Sequence, residues 1–231
     1  MNLVNPYRFK SGVPDGLIAY FPLQNNGNDV IGGITPTTNS NVTFSGTRAN
    51  FTTSGAYLEY ADDAVFRIPD ATQKTISFTI NFAAINSVNY IMGKSLSTGG
   101  ATNREWESLI IGVNDFTVRQ WIGTSLRGIK SDAPTTWATG VDYTVYWTII
   151  GNPSPILDNL FRNQNIVDDD LFGSGNIFNK VNAPFQLGRI LQDSRDLDGY
   201  IKFLGFWDRA LTPAEVATYS ALEQTGTPLV T

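Results

Sequence analysis

The 231-residue chain contains no cysteine and no histidine. Without cysteine there are no disulfides, no thiolate zinc sites and no thiol nucleophile. Without histidine the usual general base near neutral pH, the Ser-His-Asp triad and imidazole metal ligands are all excluded. Charge is scarce too: Asp, Glu, Lys and Arg make up 16% of the chain, against about 25% in ordinary soluble domains. The net charge is −5 and no run of Lys or Arg is dense enough to track phosphates, so nucleic acid is not an expected partner. No stretch of 18 or more apolar residues occurs, so no membrane insertion is expected. The opening MNLVNPYRFKSG has no apolar core of the kind a signal peptide needs.

Hydrophobic residues make up 42% and aromatics 12%, enough for a sizeable core. The length suits one large all-β domain as well as two small ones. The polar surface must be built from Asn, Thr, Ser and Gln, a composition common in extracellular β-proteins and virion proteins.

Strand signals dominate. In Thr75-Ile-Ser-Phe-Thr-Ile-Asn-Phe82, Ile76, Phe78, Ile80 and Phe82 alternate with polar residues, the period of a strand with one face inward. Val141–Ile149 is apolar at every odd position, and Phe116–Ile122 is a noisier version. Shorter candidates are Gly16–Leu23, Val42–Phe44, Tyr57–Tyr60, Tyr90–Lys94, Leu109–Val113, Leu157–Arg162, Phe185–Gly188 and Gly199–Trp207. Turn chemistry at Gln24–Asp29, Ser97–Asn103, Gly151–Pro155 and Gly173–Asn176 separates them, which reads as a sandwich or barrel. One helix signal is strong. Thr212-Pro-Ala-Glu215 is a capping box with Pro at the first helical position, and Tyr219 with Leu222 is expected to seat the helix on the sandwich edge. Residues 1–14 read as an N-terminal arm, 15–225 as the sandwich and 226–231 as a frayed tail.

Asp198-Gly-Tyr-Ile-Lys-Phe-Leu-Gly-Phe-Trp-Asp-Arg-Ala-Leu211, followed by Thr212-Pro-Ala-Glu-Val216, resembles the closing strand and helix of laminin-G-like (concanavalin A-like lectin/glucanase) jelly rolls. The opening GLIAYFPLQNNGNDVIGG, Gly16–Gly33, is similar to their first strand, and Leu160-Phe-Arg-Asn163 to their L-Y-(I/V)-(N/D)-G hairpin. Gln164 stands where that hairpin has Gly, so an altered turn is expected. The resemblance implies an all-β fold of two antiparallel sheets in a sandwich with one short C-terminal helix. It also implies a functional range from glycan binding and adhesion to a minority of enzymes.

Retaining glycosidases of this fold carry E-x-D-x-E on one strand, because two carboxylates must sit about 5–5.5 Å apart. The nearest approach is Arg104-Glu-Trp-Glu107, which lacks the central Asp and reads as a solvated strand edge with a half-buried Trp106. Ser131–Trp137 is a poor match to a sialidase Asp-box. Calcium (Ca2+) has oxygen-rich candidates in Asp193, Asp196 and Asp198 before the last strand, and in Asn28 and Asp29 after the first. The alternative is that these side chains cap their own backbone in Asx turns. Among the tryptophans, Trp147 and Trp207 are expected in the core. Trp121 shares the polar parity of Thr117 and Arg119 and so points outward, which makes Trp121, Arg119 and Trp106 the candidate ligand residues. The sequons at Asn41 and Asn50 carry little without a leader.

Together these features predict a non-catalytic adhesion module. Its expected partners are a glycan or cell-surface polysaccharide and other virion proteins, its expected setting is a phage virion surface, and a homo-oligomer is left open. The alternatives are a purely structural virion protein, a secreted adhesion module, and a glycoside hydrolase with atypical carboxylates.

Overall fold

The computed structural model describes residues 12–68, 73–86, 88–96, 101–131, 136–150, 158–168, 171–172, 179–190 and 195–230. The strands are β1 (Leu17–Phe21), β2 (Thr38–Ser40), β3 (Thr43–Phe44), β4 (Ala49–Asn50), β5 (Tyr57–Tyr60), β6 (Lys74–Phe82), β7 (Asn89–Ser95) and β8 (Arg104–Ile111). They continue as β9 (Asp115–Ile122), β10 (Ser125–Lys130), β11 (Tyr143–Ile149), β12 (Asp158–Arg162), β13 (Asn165–Asp168), β14 (Leu171–Phe172), β15 (Phe185–Leu187) and β16 (Gly199–Trp207). One α-helix among the described residues, α1 (Pro213–Gln224), follows.

The strands form two eight-stranded sheets, and among the described residues every ladder between neighbouring strands is antiparallel. Sheet one runs β13-β12-β11-β6-β16-β4-β3, with β1 sharing the β16 edge; sheet two runs β14-β10-β9-β8-β7-β15-β5-β2. The period-two pattern decides the layers. Ile76, Phe78, Ile80 and Phe82 of β6, and Tyr143, Val145, Trp147 and Ile149 of β11, face Trp106, Ile110, Phe116 and Val118 of sheet two across one core. Phe66, in a 3₁₀ turn at Ala64–Phe66, plugs one end: its ring stacks on Phe185 at 4.4 Å and meets Phe206 edge-on at 5.3 Å.

Helix α1 starts where the capping box predicts. Glu215 N–H donates to Thr212 Oγ1 and Thr212 N–H to Glu215 Oε2. Arg209 adds a two-pronged ion pair to Glu215 at 3.0 and 2.8 Å, and holds its carboxyl down at about 2. The helix does not sit on the sandwich edge. It lies on the outer face of sheet one, where Tyr219 stacks on Trp207 at 5.0 Å. Leu222, expected to pack, is exposed; the buried positions are Val216, Tyr219, Ser220 and Glu223. Nor does the tail fray as expected: Leu229 and Val230 pack on the same cluster, and Leu229 N–H donates to Tyr20 Oη.

Two strand readings change. Sheet two uses β8 from Arg104, not from Leu109, because Glu105 is an extra residue in the β7–β8 ladder and breaks the alternation. Strand β10, SLRGIK, was not foreseen, because Arg127 takes an inward position beside Ile129. That guanidinium donates to buried Asp158 at 3.2 Å across the core, and Trp147 Nε1–H reaches the same carboxyl at 3.1 Å. The β12–β13 hairpin keeps a two-residue turn despite Gln164. Asn163 (φ 49°) and Gln164 (φ 76°) both adopt left-handed backbone, as a type I′ turn requires.

Gln164→Gly is expected to raise stability by about 0.5–1 kcal/mol, because Gly adopts this φ without a Cβ penalty; urea unfolding measures it, and a decrease would contradict the turn assignment. A second prediction comes from Glu223, which is fully buried and accepts from Tyr146 Oη at 2.7 Å and Tyr20 Oη at 3.3 Å. Burial pushes its carboxyl from 4.5 up to about 7. The folded state therefore holds a proton that the unfolded chain releases above pH 4.5. The contribution is full below pH 4.5 and is lost as pH rises through 7, by up to about 3 kcal/mol. In Glu223→Gln this loss disappears, so the variant gains on the native chain over that window; parallel stability profiles from pH 4.5 to 8 would contradict the assignment.

Candidate ligand-binding site

Because α1 and the tail lie on the outer face of sheet one, the rims and the outer face of sheet two are the remaining surfaces to consider. At the rim where β6 ends and β16 begins, residues 51–54, Asn86, Val88 and residues 195–198 line a cleft of about 340 Å³. The backbone fixes its walls. Phe51 N–H donates to Gly199 O, Leu197 N–H to Gly188 O and Tyr90 N–H to Arg195 O, at 2.8 to 2.9 Å. Ala83 N–H and Ala84 N–H both donate to Asp198 O. Gly188 must be glycine: its φ is +95°, and a Cβ there would lie 2.4 Å from the Phe51 ring. Phe51 and Leu197, both buried, form the apolar part of the lining.

The polar lining comes from Thr52, Thr53, Ser54, Asn86, Arg195, Asp196 and Asp198. Asp196 Oδ2 accepts from Gly55 N–H at 3.1 Å. The Asp198 carboxylate forms no hydrogen bond or ion pair with the described residues, so two acceptor oxygens stay available in a hydroxyl-lined cleft. Arg195 stands 5.4 Å over the Tyr90 ring, which orients its planar donors. This set suits a ligand rich in hydroxyl groups: a carboxylate takes two neighbouring O–H donors, while hydroxyls and a guanidinium serve the acceptors.

The calcium candidates divide. Asp29 does not fit a cation, because both of its oxygens are occupied by backbone amides: Tyr20 and Ile31 N–H on Oδ1 at 2.8 and 2.9 Å, and Gly32 N–H on Oδ2 at 2.7 Å. It is buried and ties the loop to β1, while Asn28 N–H is capped by Asn26 Oδ1. That is the Asx-turn alternative. Asp196 and Asp198 line one cleft, and Asp193 lies outside the described residues. Among the described residues no group of three or more acidic side chains comes together, so side chains alone fall short of the 6–8 oxygens calcium takes.

Of the candidate ligand residues, Trp121 and Arg119 share the outer face of sheet two, as their parity predicts. Trp121 is half-buried, with the Arg104 guanidinium 5.3 Å over its ring. Trp106 is not a ligand residue. It is 1% exposed, faces Trp147 in the core at 6.1 Å and donates its indole N–H to Phe66 O, because it shares the parity of Ile110 on the inward face of β8. Nor is the strand edge solvated. Glu107 is buried and paired with Arg119 at 3.4 Å and Arg104 at 3.5 Å. Glu105 is buried beside Lys94, accepts from Ile68 and Val181 N–H, and is raised by burial. Each acid has its own cationic partner, so the two do not form a glycosidase pair. The centre of the Asp-box match, residues 132–135, lies outside the described residues; Trp137 is buried against Phe116 at 4.8 Å. Sequence reading missed Thr52–Ser54 and Asn86, whose signal was only a polar run after β4 and a polar loop after β6.

No family model matches the chain, and no curated protein matches it. Solved structures do. The binding domain of botulinum neurotoxin serotype G matches at a TM-score of 0.69 and 14% identity, over 90% of this chain and 51% of that one. The serotype D ligand binding domain, in complex with N-acetylneuraminic acid, matches at 0.66 and 14%, over 94% and 55%. A Trypanosoma rangeli sialidase mutant displaying trans-sialidase activity matches at 0.67 and 14%, over 93% and 34%. The chain spans about half the length of the neurotoxin domains. At this identity the likeness shows the fold: a two-sheet β-sandwich.

Trp106→Ala is expected to cost about 3–5 kcal/mol in unfolding free energy, as for a large aromatic removed from a core, and Trp121→Ala under about 1.5. Equal costs in thermal or urea unfolding would contradict this placement.

Proposed function

We propose that the chain is a non-catalytic glycan-binding module whose sugar site is the rim cleft. The observation that carries this reading is the Asp198 carboxylate, without a described partner, in a rigid cleft lined by Thr52, Thr53, Ser54 and Asn86. A preformed concave site with few, fixed polar groups is the usual form of a small-ligand site. The separate pairing of Glu105 and Glu107 supports binding over hydrolysis. The serotype D domain of the same fold, whose structure holds N-acetylneuraminic acid, is consistent with a glycan partner. The laminin-G-like sequence signatures support the same class. A virion surface, virion protein partners and self-association belong to this proposal through composition alone, and calcium through Asp196 and Asp198.

The test is a glycan array and intact bacterial surfaces, in calcium and then in EDTA. Saturable, sugar-competed binding is expected, weakened at least about tenfold in Asp198→Ala with an unchanged Tm. Loss in EDTA would support calcium at the Asp196–Asp198 loop. Absence of binding in both conditions, or undiminished binding in Asp198→Ala, would overturn the proposal.

A further inference from the structure

Three cationic side chains are buried among the described residues: Lys74, Lys94 and Arg127. Removing a charge from water costs several kcal/mol unless a partner compensates. Lys94 has Asp62 at 2.6 Å and Glu105 at 3.6 Å, and Arg127 has Asp158 at 3.2 Å. Lys74 has no carboxylate. Its ammonium donates to the carbonyls of Val65 and Arg67, each at 2.5 Å, and sits 5.6 Å from the Phe206 ring centroid. An ammonium has three donors, so one is unfilled among the described residues. Burial, partly offset by Glu105, pulls Lys74 down to about 8.

The position is unusual for lysine. Lys74 shares the inward parity of Ile76, Phe78, Ile80 and Phe82, at the end of β6 opposite the rim cleft, roughly 27 Å away along the strand. It lines a second cleft, of about 560 Å³, with Ile18 and Ala64 as apolar wall. Arg67 and Lys180 bring two more cations, and Asp208 is the one acid in the lining among the described residues. Arg67 is already engaged by Asp62 at 2.5 Å and Asn182 at 3.0 Å, and Lys180 Nζ donates to Ile68 O at 2.5 Å. Lys74 is thus the buried cation with no ion-paired carboxylate among the described residues.

We infer that this second cleft binds an acidic monosaccharide unit, its carboxylate taking the unfilled donor of Lys74 between Arg67 and Lys180 and its ring lying on Ile18 and Ala64. One unfilled donor and one buried charge with no paired carboxylate among the described residues ask for a monoanion, which favours carboxylate over phosphate. The volume falls within the range of small-ligand pockets. The inference goes beyond the rim-cleft proposal and does not rest on it.

The test is a titration of the full ¹⁵N-labelled chain with glucuronate, N-acetylneuraminate, the neutral methyl ester of glucuronic acid and inorganic phosphate. At least one of the two acids is expected to give saturable shifts confined to residues around Ile18, Ala64, Lys74 and Lys180, with none from the ester. Affinity is expected to fall at least about tenfold in Lys74→Met and in the exposed-site variant Lys180→Ala. Asp198→Ala, at the other rim, is expected to leave it unchanged. Absence of saturable shifts with both acids, an equal response to the ester, or preference for phosphate would overturn the inference. So would full affinity in a folded Lys74→Met. Should that variant not fold, unchanged affinity in Lys180→Ala would do the same.

Discussion

Strand β6 is buried along all nine of its residues. Its inward face makes the core. Its outward face, Thr75, Ser77, Thr79 and Asn81, has the composition of a solvated surface yet is buried as well. Much else follows from covering that face. Helix α1 and the segment up to Val230 lie on sheet one, so Tyr146, Phe203 and Trp207, which point out of the sandwich, are interior residues of a second core. A layer buried on both faces needs polar outward groups to find partners. Thr75 Oγ1 donates to Arg209 O and accepts from Leu211 N–H, Thr144 pairs with Ser220, and Tyr20 and Tyr146 share Glu223. The docked helix is thereby tied to the sheet by specific hydrogen bonds as well as by apolar contact.

The same cover limits the surface left open. Helix α1 and the tail cover the middle of sheet one, and the two clefts open at the rims. The two clefts lie at opposite ends of the β6–β16 ladder, and they differ in chemistry. One offers hydroxyls and a carboxylate with no described partner; the other offers a buried ammonium beside two further cations and an apolar wall. Both sit where strands end and the ladder stops supplying backbone partners, which is where side chains and ligands take over.

Alternation made most of the long strands legible, and the capping box located α1 within a residue. The failures share a cause. Strand β10 and the start of β8 escaped because Arg127, Glu105 and Glu107 occupy interior positions as paired charges, and a paired charge reads in sequence as surface. Trp106 was misplaced for the same reason: Glu105 and Glu107 on either side made the segment read as a solvated edge, although Trp106 shares the inward parity of Ile110. Of the candidate site residues, Asp196 and Asp198 share a cleft and Trp121 and Arg119 share a face, whereas Asp29 serves its own loop. Nothing in sequence spacing brings Thr52–Ser54 to Asp198, more than 140 residues away; the pairing of β4 with β16 does.

The amino-acid sequence by itself determined the fold class, the inward face of each regular strand, the helix start and the exclusion of thiol and imidazole chemistry. Those properties depend on residue type and on neighbours a few positions apart. Only the tertiary structure decided which polar residues are paired and which are not: that Glu107 answers Arg119, that Asp158 answers Arg127, and that no described carboxylate pairs with Lys74. Charge compensation in a low-dielectric interior depends on distance in space, and the chain brings those distances about only when both sheets close.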